Sequence, residues 1–276
     1  MNSSDWGAFG VNLAAAAATA LTVFLATFTV AVRRGLHRIV DIVWGTAFAA
    51  VAVVTWLLSA GHGDDGRRLL VAAATVLWGL RLAAHIARRS RGHGEDPRYT
   101  ALLDRAPGNR TLYALRTVYL GQAALVWLIS LPVQAASYSS APLDTLAYCG
   151  LGLWVAGLAF EAVGDHQLAR FKANPANRGR IMDEGLWAWT RHPNYFGDSL
   201  VWWGLYLLAC PAWQPALAVL VSPVLMTLLL TVGSGKRLLE KHMSGRPGYA
   251  AYTARTSGFL PLPPRRTARG TPESTK

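Results

Sequence analysis

The chain has 276 residues, 52% of them hydrophobic and 15% charged, and its 27 Lys and Arg against 15 Asp and Glu give a formal net charge of +12. Soluble domains carry roughly 25% charged residues. Here the charges gather between long apolar runs, which argues against a soluble nucleic-acid-binding domain and for a helical bundle solvated by lipid. Two cysteines, Cys149 and Cys210, lie in or beside apolar runs and build neither a disulfide framework nor a zinc ligand set.

In chain order, the apolar runs predict membrane spans at about 8–32, 39–60, 69–87, 113–134, 143–163, 197–210 and 215–232, since a crossing helix needs about 20 apolar residues. Met1 to Gly7 lacks the positive charge of a signal peptide, so the first run is expected to be a true span. The last two runs are short and meet at Cys210-Pro211-Ala212-Trp213-Gln214-Pro215, where a tilted or partial hairpin is the expectation. Lys and Arg concentrate in the 33–38, 88–112 and 164–196 connections and in the tail after 232, which together hold 23 of the 27. By the positive-inside rule these segments are cytoplasmic, leaving Arg67 and Arg68 on the far side. The expected architecture is therefore all-α and polytopic, with about seven helices, the N-terminus outside and the C-terminus cytoplasmic. Residues 1–262 form one transmembrane domain, and 263–276 a disordered basic tail.

Two of the expected cytoplasmic loops, 88–112 and 164–196, are long for connectors, which usually run about 4–6 residues. On the third span, Trp78, Arg81, His85 and Arg88 recur at spacings of three and four. An intramembrane Arg and His mark a functional site or a buried ion pair that fixes packing, and Asp41 is the natural partner for Arg81. On the fifth span, Glu161, Asp165, Leu168 and Lys172 share one face. They serve a ligand, or they pair with Arg170 or Arg178. Then comes Gly185-Leu186-Trp187-Ala188-Trp189-Thr190-Arg191-His192-Pro193-Asn194-Tyr195-Phe196-Gly197-Asp198. Pro193 suits the first turn of a helix. The free N–H groups of that helix start, with Arg191 beside them, suit an anion; the bland alternative is a capped interfacial helix with an aromatic belt. The tail offers Arg237, Glu240, Tyr249, Tyr252, Arg255 and Phe259 to Pro261, a site component or an amphipathic surface helix. No G-x-G-x-x-G between strand and helix, no P-loop and no H-E-x-x-H is present.

Arg191-His192-Pro193-Asn194-Tyr195 with Gly197-Asp198 resembles the steroid 5-alpha-reductase superfamily, in particular a bacterial branch. So do Trp78 to Leu82, Gly94-Glu95-Asp96-Pro97-Arg98-Tyr99, Phe160-Glu161, Asp165 to Leu168, and Tyr249-x-x-Tyr252. The resemblance runs from about Asp41 to Pro261. It implies a seven-helix enzyme of the bacterial inner membrane with NADPH as cofactor and a lipophilic substrate entering from the lipid. The reaction it implies is reduction of a carbon–carbon double bond conjugated to a carbonyl. By the resemblance, Asp165, Lys172, Arg180, Asn194 and Asp198 match polar cofactor positions, Glu161 stands where steroid reductases have Asn, and Arg89 aligns with a basic residue ending the third helix. Arg81, Leu168, Arg191, His192, Tyr195, Glu240, Tyr249, Tyr252 and Arg255 complete the expected cofactor set. Steroid reductases carry a His-Tyr pair where this chain has His85-Ile86, so Asp41, His85 or Tyr195 is expected to polarise the carbonyl. A membrane methyltransferase using S-adenosylmethionine, whose relatives share the Arg-His-Pro stretch, is the rival; a non-catalytic lipid-binding or transport protein is the third alternative.

Overall fold

The computed structural model describes residues 3–210, 213–233 and 235–265. Among these it is all helical, with no named strand. Six helices are long and apolar enough to cross a membrane, running Asp5–Arg34, Ile39–Leu58, Asp65–Ser90, Arg110–Ser137, Thr145–Ala173 and Ala216–Met243. Large apolar side chains on their surfaces are solvent-facing in the bare protein: Val11 is 63% exposed, Leu69 58%, and Leu217 65%. Such a surface is stable only against lipid, so this is an integral membrane protein.

The chain folds into two compact units, Met1–Gly152 with Trp202–Leu225, and Leu153–Val201 with Met226–Lys276. In the first, α1 (Ser3–Arg34), α2 (Ile39–Leu58) and α3 (Asp65–Ser90) lead the chain. On α1 the buried residues Asn12, Ala16, Ala20, Phe24, Thr27 and Ala31 recur every three or four positions, a single inward stripe. Helices α2 and α3 touch backbone to backbone: a Cβ added to Gly45 would lie 2.2 Å from the Gly79 carbonyl oxygen, and one on Gly79 2.3 Å from that of Gly45. Ala49 and Ala83 continue the contact one turn on, the small-xxx-small pattern by which helices associate in lipid. Phe48, Trp78 and Trp202 pack edge-on or tilted with centroids 4.6–5.5 Å apart.

Arg67 and Arg68, the two basic residues expected on the outer side, are buried and structural. Arg67, 0% exposed, donates to the carbonyls of Ala141, Pro142 and Leu208. Arg68 donates to Ser59, Asp65 and the Trp56 carbonyl. Each guanidinium closes loop and helix-end carbonyls that lipid cannot satisfy.

After α3 come α4 (Pro97–Leu103) and α5 (Arg110–Ala114). The fourth span, expected as one helix over 113–134, is broken. α5 passes into a π-helical turn at Leu115–Leu120, then α6 (Gly121–Ile129) and α7 (Leu131–Ser137) follow. The last break falls at Pro132, which lacks the N–H that would continue the ladder.

The second unit contains most of α8 (Thr145–Ala173), a short 3-10 turn (Pro175–Asn177), α9 (Leu186–Trp189) and most of α10 (Pro193–Leu208). α11 (Trp213–Val219) belongs to the first unit, and α12 (Val221–Thr231) begins there; α13 (Lys236–Met243) and α14 (Tyr249–Arg255) belong to the second. α10 starts at Pro193 as the sequence predicts, but its 16 residues span only about 24 Å, short of a hydrocarbon core of about 30 Å. α8 and α10 make contact through glycines spaced seven apart. In the second unit a Cβ on Gly157 would lie 2.6 Å from the Gly197 oxygen, and one on Gly164 3.1 Å from the Pro193 ring; in the first unit, one on Gly150 would lie 2.7 Å from the Gly204 oxygen. Of the expected hairpin between the last two runs, Pro211 and Ala212 lie outside the described residues, as does the expected tail beyond Arg265.

Candidate functional site

The second unit brings together most of the predicted residues. Gly185, at φ +60 and ψ −131, starts the segment in a conformation open only to glycine, and Gln167 packs where a side chain would stand. Gln167 Oε1 accepts the Leu186 N–H at 3.0 Å, and the Trp187 indole donates to the Gly164 carbonyl at 3.0 Å. Thr190 is extended and bridges Ser257. The chain then enters α10 at Pro193, whose missing N–H costs the first turn nothing.

Two buried carboxylates, Glu161 (2% exposed) and Asp165 (6%), point from α8 toward this helix start. The Asn194 amide donates to Asp165 Oδ1 at 3.3 Å. Close packing explains the placement, because a Cβ on Gly197 would lie 3.0 Å from that of Glu161. Asp198, one turn beyond Asn194, is 9% exposed. Leu168 is half-buried, whereas Lys172 and Arg180 are exposed; Arg180 leans on Asn177 at 3.3 Å.

His192 is 2% exposed. Its Nε2 lies 3.2 Å from Glu240 Oε1, and a carboxylate only accepts, so Nε2 carries the proton. Its ring stacks on Tyr195 at 5.2 Å and 4°. Burial lowers its pKa to about 4, with the charges of Arg191 and Lys236 adding to the effect and Glu240 opposing it. His192 is therefore neutral near pH 7, and its buried Nδ1 has no partner among the described residues. It is an acceptor waiting for a donor.

The tail holds the segment in place. Arg191, expected at an anion, has its donors engaged instead: Nε and Nη2 on Glu240 at 2.9 and 2.8 Å, and Nη1 on the Thr256 and Thr253 carbonyls at 2.6 and 3.3 Å. Tyr252 Oη donates to the Trp187 carbonyl at 2.7 Å, Thr190 to the Phe259 carbonyl at 2.8 Å, and Arg255 pairs with Asp183. Tyr249 and Tyr252 are buried, and burial is the main cause that raises both phenol pKa values. Arg191, Glu240, Tyr252 and Arg255 thus tie the tail to the 183–192 segment. Lys236, which the sequence did not single out, lies with Arg191 against Gly258.

The first unit holds Asp41, Arg81, His85 and Arg89. Arg81 and His85 are half-buried and Arg89 is exposed on α3. Asp41 does not have the partner expected of it. It accepts from Arg98 at 2.8 Å and from Tyr99 Oη at 2.5 Å, because the 94–99 segment crosses the start of α2. Glu95 there accepts the His37, Arg38 and Asp96 N–H groups, placing a carboxylate at the positive end of α2. Tyr99 is buried, and burial, followed by the charge of Asp41, raises its pKa. His37 Nδ1 hydrogen-bonds Tyr119 Oη at 2.8 Å, the tyrosine standing in the π-helical turn. Similarly, Arg170 and Arg178 form no ion pair among the described residues; Arg170 lies about 140° around α8 from Asp165. The described residues include no cluster of three metal-ligating side chains.

No solved structure matches the chain. A Schizosaccharomyces pombe protein called Uncharacterized protein C594.04c is 24% identical over 250 residues, covering 80% of this chain and 72% of the relative. With a family model matching residues 27–256, the chain belongs to the family described as "Protein of unknown function (DUF1295)".

Proposed function

We propose that this protein is a membrane-embedded, NADPH-dependent reductase of the steroid 5-alpha-reductase superfamily. Its substrate is a lipophilic molecule with a carbon–carbon double bond conjugated to a carbonyl. The observation that carries the reading is the start of α10, where Asn194 meets the buried Asp165 beside a neutral, unsatisfied His192. A buried acceptor without a donor costs about 1–3 kcal/mol, and nucleotide hydroxyl and carboxamide groups supply donors. Asp165, Glu161, Asn194 and Asp198 would hold those groups, with Lys172 and Arg180 at the phosphates. Arg191 stands beside the same helix start, held by Glu240 and the tail carbonyls. The cofactor supplies a hydride when bound.

The chain's own part is to hold and orient. Asn194 and Asp165 fix polar groups at the helix start, and Glu240 keeps His192 in the tautomer that accepts at Nδ1. Asp41, His85 and Tyr195 are the candidates for the acid that polarises a carbonyl, Ile86 having replaced the usual tyrosine. In this reading seven helices cross the membrane, α10 tilted or crossing in part, with the C-terminus cytoplasmic. The test is NADPH binding to the purified protein in detergent and to Asn194→Ala and Asp198→Ala. Both variants are expected to stay folded and to lose about tenfold or more in affinity. Unchanged affinity in both would remove the pocket assignment. Screening enone lipids for NADPH oxidation then identifies the substrate.

A further inference from the structure

A second polar feature of the same unit lies apart from the face carrying Glu161 and Asp165. An open cleft of about 420 Å³ runs beside the last two turns of α8, lined among others by Gln167, Arg170, Phe171, Asn174, Met182 and Glu184. None of these belongs to the expected cofactor set. Two opposite charges, Arg170 and Glu184, share the cleft, yet neither side chain forms an ion pair or hydrogen bond among the described residues. Gln167 Oε1 is taken by the Leu186 N–H, and Asn174 Oδ1 by the Ala176 N–H at 3.1 Å. Their amide nitrogens remain as donors. Gln167 and Arg170 fall on one side of α8, and Asn174 follows its last residue in extended backbone; all three line one volume, with Glu184 reaching it from the 182–185 loop.

Helix length points to the setting. The 29 residues of α8 span about 44 Å, against about 30 Å of hydrocarbon and 40–45 Å with the headgroup layers. The cleft flanks the end of a helix long enough to reach the headgroup layers, which makes a lipid headgroup the ligand to test there.

We propose that this cleft binds a zwitterionic phospholipid headgroup carrying a primary ammonium, of the phosphoethanolamine type. The phosphate takes Arg170 and the amide N–H groups of Gln167 and Asn174. The ammonium takes Glu184, and Phe171 and Met182 cover the methylene link. A quaternary ammonium needs an aromatic cage, and Phe171 alone does not make one, so phosphocholine is disfavoured. The proposal is independent of the reductase reading.

The test is native mass spectrometry of the full chain released from detergent with equimolar phosphatidylethanolamine, phosphatidylcholine and phosphatidylglycerol of matched acyl chains. Phosphatidylethanolamine is expected to be retained about fivefold or more over the others. Arg170→Gln should cut that retention about tenfold, and Glu184→Gln should abolish the preference over phosphatidylglycerol. Both side chains are exposed, so neither substitution endangers folding. Free phosphoethanolamine at millimolar concentration should compete; if it does not, the acyl chains carry the binding and the site is overturned. Equal retention of the three lipids, a preference surviving both substitutions, or displacement of the lipid by NADPH would also overturn it.

Discussion

Acid should weaken this protein through His192. The side chain is 3% exposed, and its pKa falls from 6.5 in the unfolded chain to about 4 in the folded protein. The folded state therefore refuses a proton that the unfolded state accepts. The associated stability is complete above pH 6.5 and is lost progressively as the pH falls from 6.5 to 4. At 1.36 kcal/mol per unit, the whole shift is worth about 3 kcal/mol, of which about 2 is lost by pH 5. Glutamine at this position keeps an N–H for Glu240 but does not titrate. Thermal unfolding in detergent, followed by tryptophan fluorescence between pH 7.5 and 4.5, measures the difference. The gap in Tm between wild type and His192→Gln should shift against the wild type by several degrees across the window. Parallel curves would mean that His192 is protonated, or accessible, in the folded protein, and the account of its free Nδ1 would fall.

Other substitutions probe the scaffold. Gly197→Ala places a Cβ 2.5 Å from the Gly157 carbonyl and 2.6 Å from the Glu161 nitrogen. Since both are backbone atoms, α8 and α10 must separate, at a cost of about 1–3 kcal/mol, read as a lowered Tm together with weakened NADPH binding. Arg67→Ala orphans the carbonyls of Ala141, Pro142 and Leu208 and should cost about 3 kcal/mol or more, seen as loss of folded protein on size-exclusion chromatography. Glu95→Ala removes the carboxylate capping α2 and should cost about 1–2 kcal/mol, measured by the same thermal assay.

Six apolar helices and the helix start at Pro193 are legible in the sequence because hydropathy and proline chemistry are local, whereas the run expected to cross at 197–210 belongs to α10, which falls short of the hydrocarbon core. Asp165 and Asn194 were legible as polar residues at a membrane end, and the structure brings them to hydrogen-bond distance. The bonds of Arg191 to Glu240 and Thr256 are not legible in the sequence, because an arginine at a helix start suits an anion as well as a strut, and these partners lie about 50 and 65 residues further on. Placement at the start of the second span makes Asp41 the natural partner for Arg81. The 94–99 segment, a loop in any sequence-based account, reaches it first. The seven-residue spacing of Gly150, Gly157 and Gly164, answered by Gly197 and Gly204, is a further sequence signal of two helices in close contact. The cleft beside Arg170 had no such signal, since unpaired charges on a loop and a helix end look like ordinary surface.

Ligand-dependent thermal stability tests the central claim most directly. A ligand that binds only the folded state stabilises it by about 2.7 kcal/mol at one hundred times its Kd. NADPH should therefore raise the Tm of the purified protein in detergent by several degrees, while S-adenosylmethionine should leave it unchanged. Stabilisation by S-adenosylmethionine alone, or by neither compound, would contradict the reductase.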